Sequence, residues 1–170
     1  HAGKKTVALI SDMDIPLGHG IGNALEVMEA VDTLKGRGPE DLTEVCLSLA
    51  ANMLYLAEKG TLEECRKMAE ESIESGAALE KLIAMVQAQG GDASVIKDTD
   101  KFPKAAYSCE VKAEKSGYIT HINTEQCGIA SVALGAGRET KESVIDYAAG
   151  IVLNKKYGDR IDKGEILATL

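Results

Sequence analysis

One continuous apolar run near the start of the chain, residues 6–10, constrains the fold more than any other feature. Short unbroken apolar runs are typical of strands buried on both faces of a parallel sheet. Helical patterns follow it as far as the pair Gly90-Gly91. A lone strand cannot satisfy its own backbone donors and acceptors. We therefore expect its sheet partners in the second half of the chain or, as its parallel character favours, in sequence outside these residues.

Four helical patterns follow this strand, and most carry their own start and stop signals. Asn23 suits the N-cap of the first helix and Gly36 its end, while Pro39 suits the first turn of the second helix. Thr61 and Glu64 have the spacing of a capping box at the start of the third helix. These signals predict that the first half of the chain is mainly helical.

The apolar pattern changes from a helical to an alternating period after residue 104. We predict strands at residues 107–113, 117–122, 150–153 and 165–170, and helices at residues 124–136 and 141–147. The predicted fold class is an α/β portion, with a parallel strand, helices and an incomplete sheet, followed by an α+β domain. We place the domain boundary in the polar stretch that ends at Phe102-Pro103, which gives domains of residues 1–100 and 101–170.

Composition and charge narrow the classes of partner. The chain has 19 basic and 27 acidic residues and a net charge of −8. This argues against broad nucleic-acid binding, which is driven by the neutralisation of phosphates. No apolar run approaches the ~20 residues that span a membrane. The four cysteines lie far apart and form no CxxC pair, which is typical of reduced, cytoplasmic residues and not of disulfides or a zinc site.

The glycine-rich segment from Gly18 to Gly22 lies between the predicted first strand and first helix. Such a loop can present N–H groups to an anion, but it has neither the full dinucleotide fingerprint nor a Walker lysine. Its glycines can instead turn carbonyl oxygens towards a hard cation, with Glu29 adding a carboxylate. A tight turn that needs positive φ, with Glu29 merely solvated, also explains the pattern. The residues alone leave these interpretations open.

Other polar residues give weaker signals. His19 is a candidate acid or base, but nothing near it in sequence obviously orients its ring. We interpret His121 and the pair Lys155 and Lys156 as surface residues.

Longer motifs resemble those of a known family. The segments SDMDIPLG and GNALEV, at residues 11–18 and 22–27, resemble the pyrimidine nucleoside phosphorylases and thymidine phosphorylases. The resemblance continues in order through residues 34–36, 38–39, 41–44, 89–92, 135–138 and 158–159. A second likeness, to biotinyl and lipoyl carrier domains, involves residues 117–119 and 158–167. It implies a barrel-sandwich-like sheet in the α+β domain, but no carrier function, because no Met-Lys-Met occurs.

The family resemblance implies an enzyme with an all-α domain, an α/β domain that holds phosphate and a C-terminal α+β domain. It implies a transferase, usually a homodimer, that catalyses the reversible phosphorolysis of uridine- or thymidine-type nucleosides. The family's phosphate and pyrimidine motifs do not occur in residues 1–170. We therefore name no catalytic residue, expect this segment alone to be inactive, and expect its partner to be the missing N-terminal part of the same enzyme. The start without Met and the apolar end, residues 166–170, suggest that both ends are cut.

The resemblance also carries over a potassium site. By position its ligands here are the main-chain oxygens of Leu17 and Gly20 and the carboxylate of Glu29, with Gly20 in place of the more usual Ala. The other ligands belong to the absent phosphate loop, so the ion would tie that loop to this segment. Two alternatives stay open: a nucleoside monophosphate phosphorylase of the same superfamily, and a non-catalytic binding module.

Overall fold

The computed structural model describes residues 3–170, which divide into two compact units. The first unit comprises residues 3–12 and 30–97, and the second comprises residues 13–29 and 98–170. The glycine-rich segment is therefore grouped with the second half of the chain. These units rest on spatial proximity and differ from the predicted domains, residues 1–100 and 101–170, so that the domain division stays a prediction.

Helices form most of the first unit. They are α1 (Asn23–Leu34), which begins in the second unit, α2 (Glu40–Leu56), α3 (Leu62–Glu74), α4 (Ala77–Ala88) and the short α5 (Ser94–Lys97). The four long helices confirm the prediction, whereas α5 was not predicted. Val31 and Cys65 are the most deeply buried side chains in this unit.

Local contacts fix the helices of the first unit. The predicted capping box is present: Thr61 Oγ1 accepts the Glu64 N–H at 3.3 Å, and Glu64 Oε2 accepts the Thr61 N–H at 2.8 Å. Between α2 and α3, Arg66 pairs with Glu44 at 2.6 Å, and along α3 it pairs with Glu70 at 2.8 Å. The hydrogen bonds from Arg66 and Ser48 hold the pKa of Glu44 at about 2.

The predicted buried strand at residues 6–10 does not form. These residues have no strand structure, and their side chains are exposed, with Ile10 at 97%. Within residues 3–170 no other segment pairs with them. The physical reason is that a strand needs a neighbour to satisfy its backbone N–H and C=O groups, and within residues 3–170 no segment supplies one.

Short antiparallel strands organise the second unit. They are β1 (Gly20–Ile21), β2 (Glu110–Lys112), β3 (Gly117–Tyr118), β4 (Ile151–Leu153), β5 (Arg160–Ile161) and β6 (Ile166–Thr169). One sheet has the order β1-β4-β6-β2, and β3 pairs with β5. Ile151, Leu153 and Ile161 are buried in the core of this unit. The strands β2, β3, β4 and β6 lie within the four predicted segments, although each is shorter, whereas β1 and β5 were not predicted.

The helix α6 (Thr124–Ala133) confirms one prediction, but the helix predicted at residues 141–147 is wrong. Long-range backbone hydrogen bonds replace the helical ladder there: the Tyr147 carbonyl accepts the Ala24 N–H at 3.1 Å, and the Gly135 carbonyl accepts the Asp146 N–H at 2.9 Å. The structure confirms a mixture of helices and sheet. Within residues 3–170 the strands do not close into a barrel and pair only in antiparallel fashion, and the barrel-sandwich-like sheet stays a prediction.

The length and hydropathy of the helices decide whether one of them could span a membrane. None of those described in residues 3–170 combines the length and the apolar character that crossing a bilayer requires.

Candidate functional site

The glycine-rich segment is an edge strand of the second unit's sheet, not a free turn. In the ladder between β1 and β4, the His19 carbonyl accepts the Leu153 N–H at 2.9 Å. The His19 ring joins the same contact, because its Nδ1 lies 2.7 Å from the Leu153 carbonyl oxygen. The group that orients this ring is therefore a main-chain carbonyl 134 residues away in sequence. Sequence reasoning missed it because two residues, Gly20 and Ile21, are too few to show an alternating pattern.

The carboxylate of Glu29, in α1, binds the backbone of the glycine-rich segment. Its Oε1 accepts the N–H groups of His19 at 2.8 Å and Gly20 at 3.2 Å. Gly18 has φ +67°, and a Cβ there would lie 2.1 Å from Glu29 Oε2. Only glycine combines this backbone conformation with room for the carboxylate. Glu29 is thus a structural part of the loop, and the interpretation of Glu29 as a merely solvated side chain is wrong.

Two glycines bring β1 and β4 into backbone contact at the start of α1. A Cβ on Gly22, which has φ +141°, would lie 2.5 Å from the Ala149 carbonyl oxygen. A Cβ on Gly150 would lie 2.3 Å from the Ile21 carbonyl oxygen. The Gly22 N–H also donates to Glu26 Oε1 at 3.1 Å, from the first turn of α1. This crossing sets where the loop and the start of α1 lie in the second unit.

Lys156 corrects the sequence interpretation of the pair Lys155 and Lys156 as surface residues. Its side chain is partly buried, and Nζ donates to the main-chain carbonyls of Pro16 and Gly18. Lys155 is also less exposed than predicted, at 26% of its side chain, and it pairs with Glu165 at 3.5 Å. No local signal could have found the Lys156 contacts, because the partners lie 140 and 138 residues away.

Two of the predicted cation ligands lie on this loop, and the third, Glu29 of α1, contacts it. Leu17 lies between the two residues that bind Lys156, Gly20 lies in β1, and Glu29 touches the loop at Gly18, His19 and Gly20. Within residues 3–170 no cluster of three or more His, Cys, Asp or Glu side chains is arranged to hold a metal. Any cation site here would therefore depend on carbonyl oxygens and one carboxylate, a donor set that suits a hard ion of low charge.

Two observations test whether these residues fit a monovalent cation. The ammonium of Lys156 donates to the carbonyl oxygens of Pro16 and Gly18, which flank the predicted ligand Leu17 but are not themselves predicted ligands. An alanine Cβ at Gly20 would lie 3.2 Å from the Leu25 carbonyl group, so that the glycine found here fits with less adjustment than the more usual alanine. A main-chain ligand at this position does not depend on the side chain. What these residues offer is a donor set of carbonyl oxygens and one carboxylate, the kind that a hard monovalent ion takes.

Two family models match the chain. Residues 118–170 match the pyrimidine nucleoside phosphorylase C-terminal domain, and residues 1–79 match the a/b domain of a glycosyl transferase family. Residues 80–117 lie outside both matches, so the models do not locate the domain boundary.

Curated relatives match from one end of the chain to the other. A pyrimidine-nucleoside phosphorylase of Staphylococcus aureus (strain bovine RF122 / ET3-1) is 54% identical over 171 residues, which is 100% of this chain and 40% of the relative. A pyrimidine-nucleoside phosphorylase of Geobacillus stearothermophilus is 54% identical over 169 residues, covering 99% of this chain and 39% of the relative. The chain thus spans about 40% of the length of these relatives. By these matches, the chain belongs to the pyrimidine nucleoside phosphorylase family.

Proposed function

We propose that this chain is part of an enzyme that catalyses the reversible phosphorolysis of pyrimidine nucleosides. The observation that supports this most is the 54% identity, over the whole chain, to relatives named pyrimidine-nucleoside phosphorylase. In this reaction phosphate attacks the anomeric carbon of the sugar, and the base departs with the bonding electrons. The products are the free base and (deoxy)ribose 1-phosphate, and the enzyme works as a cytoplasmic homodimer.

The missing N-terminal part of the enzyme supplies the groups that touch phosphate and pyrimidine. Residues 1–170 supply a potassium site, with the main-chain oxygens of Leu17 and Gly20 and the carboxylate of Glu29 as ligands. A bound potassium ion supplies a fixed positive charge near the phosphate loop. This chain's own contribution is to hold three oxygen donors in place, which lowers the cost of ordering the phosphate site when substrate binds.

The contacts of Glu29 support its part in this proposal. Its Oε1 already accepts two backbone N–H groups of the loop, so the carboxylate is held near Gly18 and Gly20 before any ion binds. A carboxylate held in this way loses little side-chain freedom when it gains a further partner.

A substrate panel tests the proposed reaction. The intact protein is given phosphate with uridine, thymidine or uridine monophosphate, and release of free base is measured. We expect release from both nucleosides. Release from the nucleotide alone would identify a nucleoside monophosphate phosphorylase, and no release from any of the three would identify a non-catalytic module; either result contradicts the proposal.

A potassium titration tests the ion site separately. Potassium should stabilise the intact protein and so raise its thermal midpoint. At a hundredfold excess over the dissociation constant, the gain in the free energy of unfolding should be about 2.7 kcal/mol. Glu29→Gln keeps an oxygen that can accept the His19 and Gly20 N–H groups but removes the charge, and we expect it to reduce this response. Asp32→Asn, one turn further along α1, is the control and should keep the response. An equal response in Glu29→Gln would contradict the assignment.

A further inference from the structure

The glycine loop contains no basic residue of its own. Residues 11–22 include neither Lys nor Arg, so the positive charge on its carbonyls comes from elsewhere in the chain. Lys156 supplies that charge through two hydrogen bonds, to the Pro16 and Gly18 carbonyls. Both carbonyls belong to buried residues, whereas Leu17 between them is exposed. The ammonium therefore holds the two residues that flank a proposed potassium ligand.

The backbone around Lys156 is itself fixed. Lys156 lies in the turn between β4 and β5, where its N–H donates to Asp159 Oδ2 at 2.7 Å and its carbonyl accepts the Asp159 N–H at 3.1 Å. The turn is tied to the rest of the second unit by the Gly158 N–H, which donates to the Ile119 carbonyl at 2.8 Å. The side chain thus extends from an anchored base. A lysine held in this way loses less entropy when it binds the loop.

Lys155 shows that the contact is specific to one lysine of the pair. Its Nζ donates to the Arg160 carbonyl at 3.2 Å and pairs with Glu165 at 3.5 Å. These contacts lie within the β5–β6 region and do not involve the glycine loop. Neighbouring lysines of the same charge therefore serve different parts of the unit, which makes Lys155 a matched control.

We propose that Lys156 is a positioning residue for the glycine loop. Its ammonium holds the loop at Pro16 and Gly18, while Glu29 holds it at His19 and Gly20. The two contacts fix the segment that carries the main-chain oxygens of Leu17 and Gly20. The inference deepens the proposed potassium site, but the loop contact itself exists without any ion. Hydrogen bonds between an ammonium and carbonyls are charge-assisted and stronger than neutral ones.

Hydrogen exchange in the intact protein, without potassium or substrate, tests the contact directly. Lys156→Met keeps most of the aliphatic stem and removes the charge. We expect amide exchange at His19 and Gly20 to speed up by about tenfold or more, because two charge-assisted hydrogen bonds to the loop are lost. Exchange at Val111 in β2 should stay unchanged, which shows that the variant is folded. Unchanged exchange at His19 and Gly20 would overturn the proposal.

Two further variants separate positioning from general stability. Lys156→Arg retains a charged donor and should keep exchange at His19 and Gly20 within about threefold of the original protein, whereas Lys155→Met should leave it unchanged. If Lys155→Met speeds up exchange at His19 and Gly20 as much as Lys156→Met does, the proposal is overturned, because the effect is not specific to Lys156.

Potassium affinity gives the readout that links the contact to function. In Lys156→Met the potassium concentration for half-maximal thermal stabilisation should rise by about tenfold, because the ligands are no longer held in place. A lower concentration would mean that the ammonium competes with the ion, and would overturn the proposal. If no potassium response exists even in the original protein, the potassium site fails, while the exchange result still decides the role of Lys156.

If Lys156→Met does not fold, amine acylation of the original protein decides the question. Lys156 should react about tenfold more slowly than the exposed Lys163, because its ammonium is held by carbonyls. Equal rates at the two lysines would overturn the proposal.

Discussion

The contacts that stabilise the inside of the first unit differ in kind from those that stabilise the inside of the second. In the first unit the stabilising contacts are local or join consecutive helices, as in the capping box of Thr61 and Glu64 and the ion pairs of Arg66. In the second unit the deciding contacts join backbone segments far apart in sequence, as between His19 and Leu153. The loop proposed to bind an ion is therefore shaped by its distant neighbours as well as by its own glycines and Glu29.

The substitution Gly22→Ala should destabilise the protein most, because it disrupts the close backbone contact between β1 and β4. The new Cβ would collide with the Ala149 carbonyl oxygen, and the alanine would have to adopt a φ that only glycine favours. We expect a loss of about 3 kcal/mol from the free energy of unfolding of the second unit. Hydrogen exchange at the amides of β4 measures it.

Gly36→Ala is the matched control in the first unit. Gly36 also has positive φ, at +73°, but a Cβ there would meet nothing within 4 Å. Only backbone strain remains, and the cost should be about 1 kcal/mol. Equal losses for the two variants would show that the crossing of β1 and β4 adds nothing, and would remove the contrast between the units.

Thr61→Ala should have an intermediate effect that is confined to the first unit. It removes the oxygen that accepts the Glu64 N–H, and loss of such a cap costs about 1 kcal/mol. Exchange in α3 should speed up, while exchange in β4 and β6 should not change. The neighbouring exposed residue gives a control, Glu63→Gln, for which we expect a smaller loss of a few tenths of a kcal/mol, because it removes only a charge near the helix N-terminus. A comparable increase in β4 would contradict the independence of the two sets of contacts.

The smallest effect should come from acidifying the protein. The pKa of Glu44 is held at about 2 by Arg66, below its ordinary value of 4.5. A lowered folded-state pKa means that this contribution to stability is present above pH 4.5 and is lost as the pH falls towards 2. The thermal midpoints of the original protein and Glu44→Gln should therefore converge between these values. The effect should be small because the pair is exposed, and a constant difference across this range would contradict it.

The sequence predicted the structure well where its signals are local. The capping box and the four long helices follow from neighbouring residues, and so do the positions of four strands of the second half, β2, β3, β4 and β6, but not that of β5. The helix predicted at residues 141–147 failed because Tyr147 and Asp146 bond to distant backbone groups. The strand at residues 6–10 failed because a strand depends on neighbours that its own residues do not supply.

The candidate site was predicted only through the family resemblance. Periodicity and spacing left the glycine loop open between an anion site, a cation site and a turn. The structure removed one part of that ambiguity by showing that Glu29 binds the loop. It also added Lys156, whose partners no sequence pattern connects to it.

The proposal that this chain is an inactive part of a pyrimidine nucleoside phosphorylase is tested by phosphate-dependent release of uracil from uridine, measured side by side for the intact protein and for the 170-residue chain. We expect turnover by the intact protein and none by the isolated chain, because the proposed phosphate- and pyrimidine-binding groups lie outside these residues. Turnover by the isolated chain at a rate near that of the intact protein would contradict it, and so would an intact protein that releases no uracil.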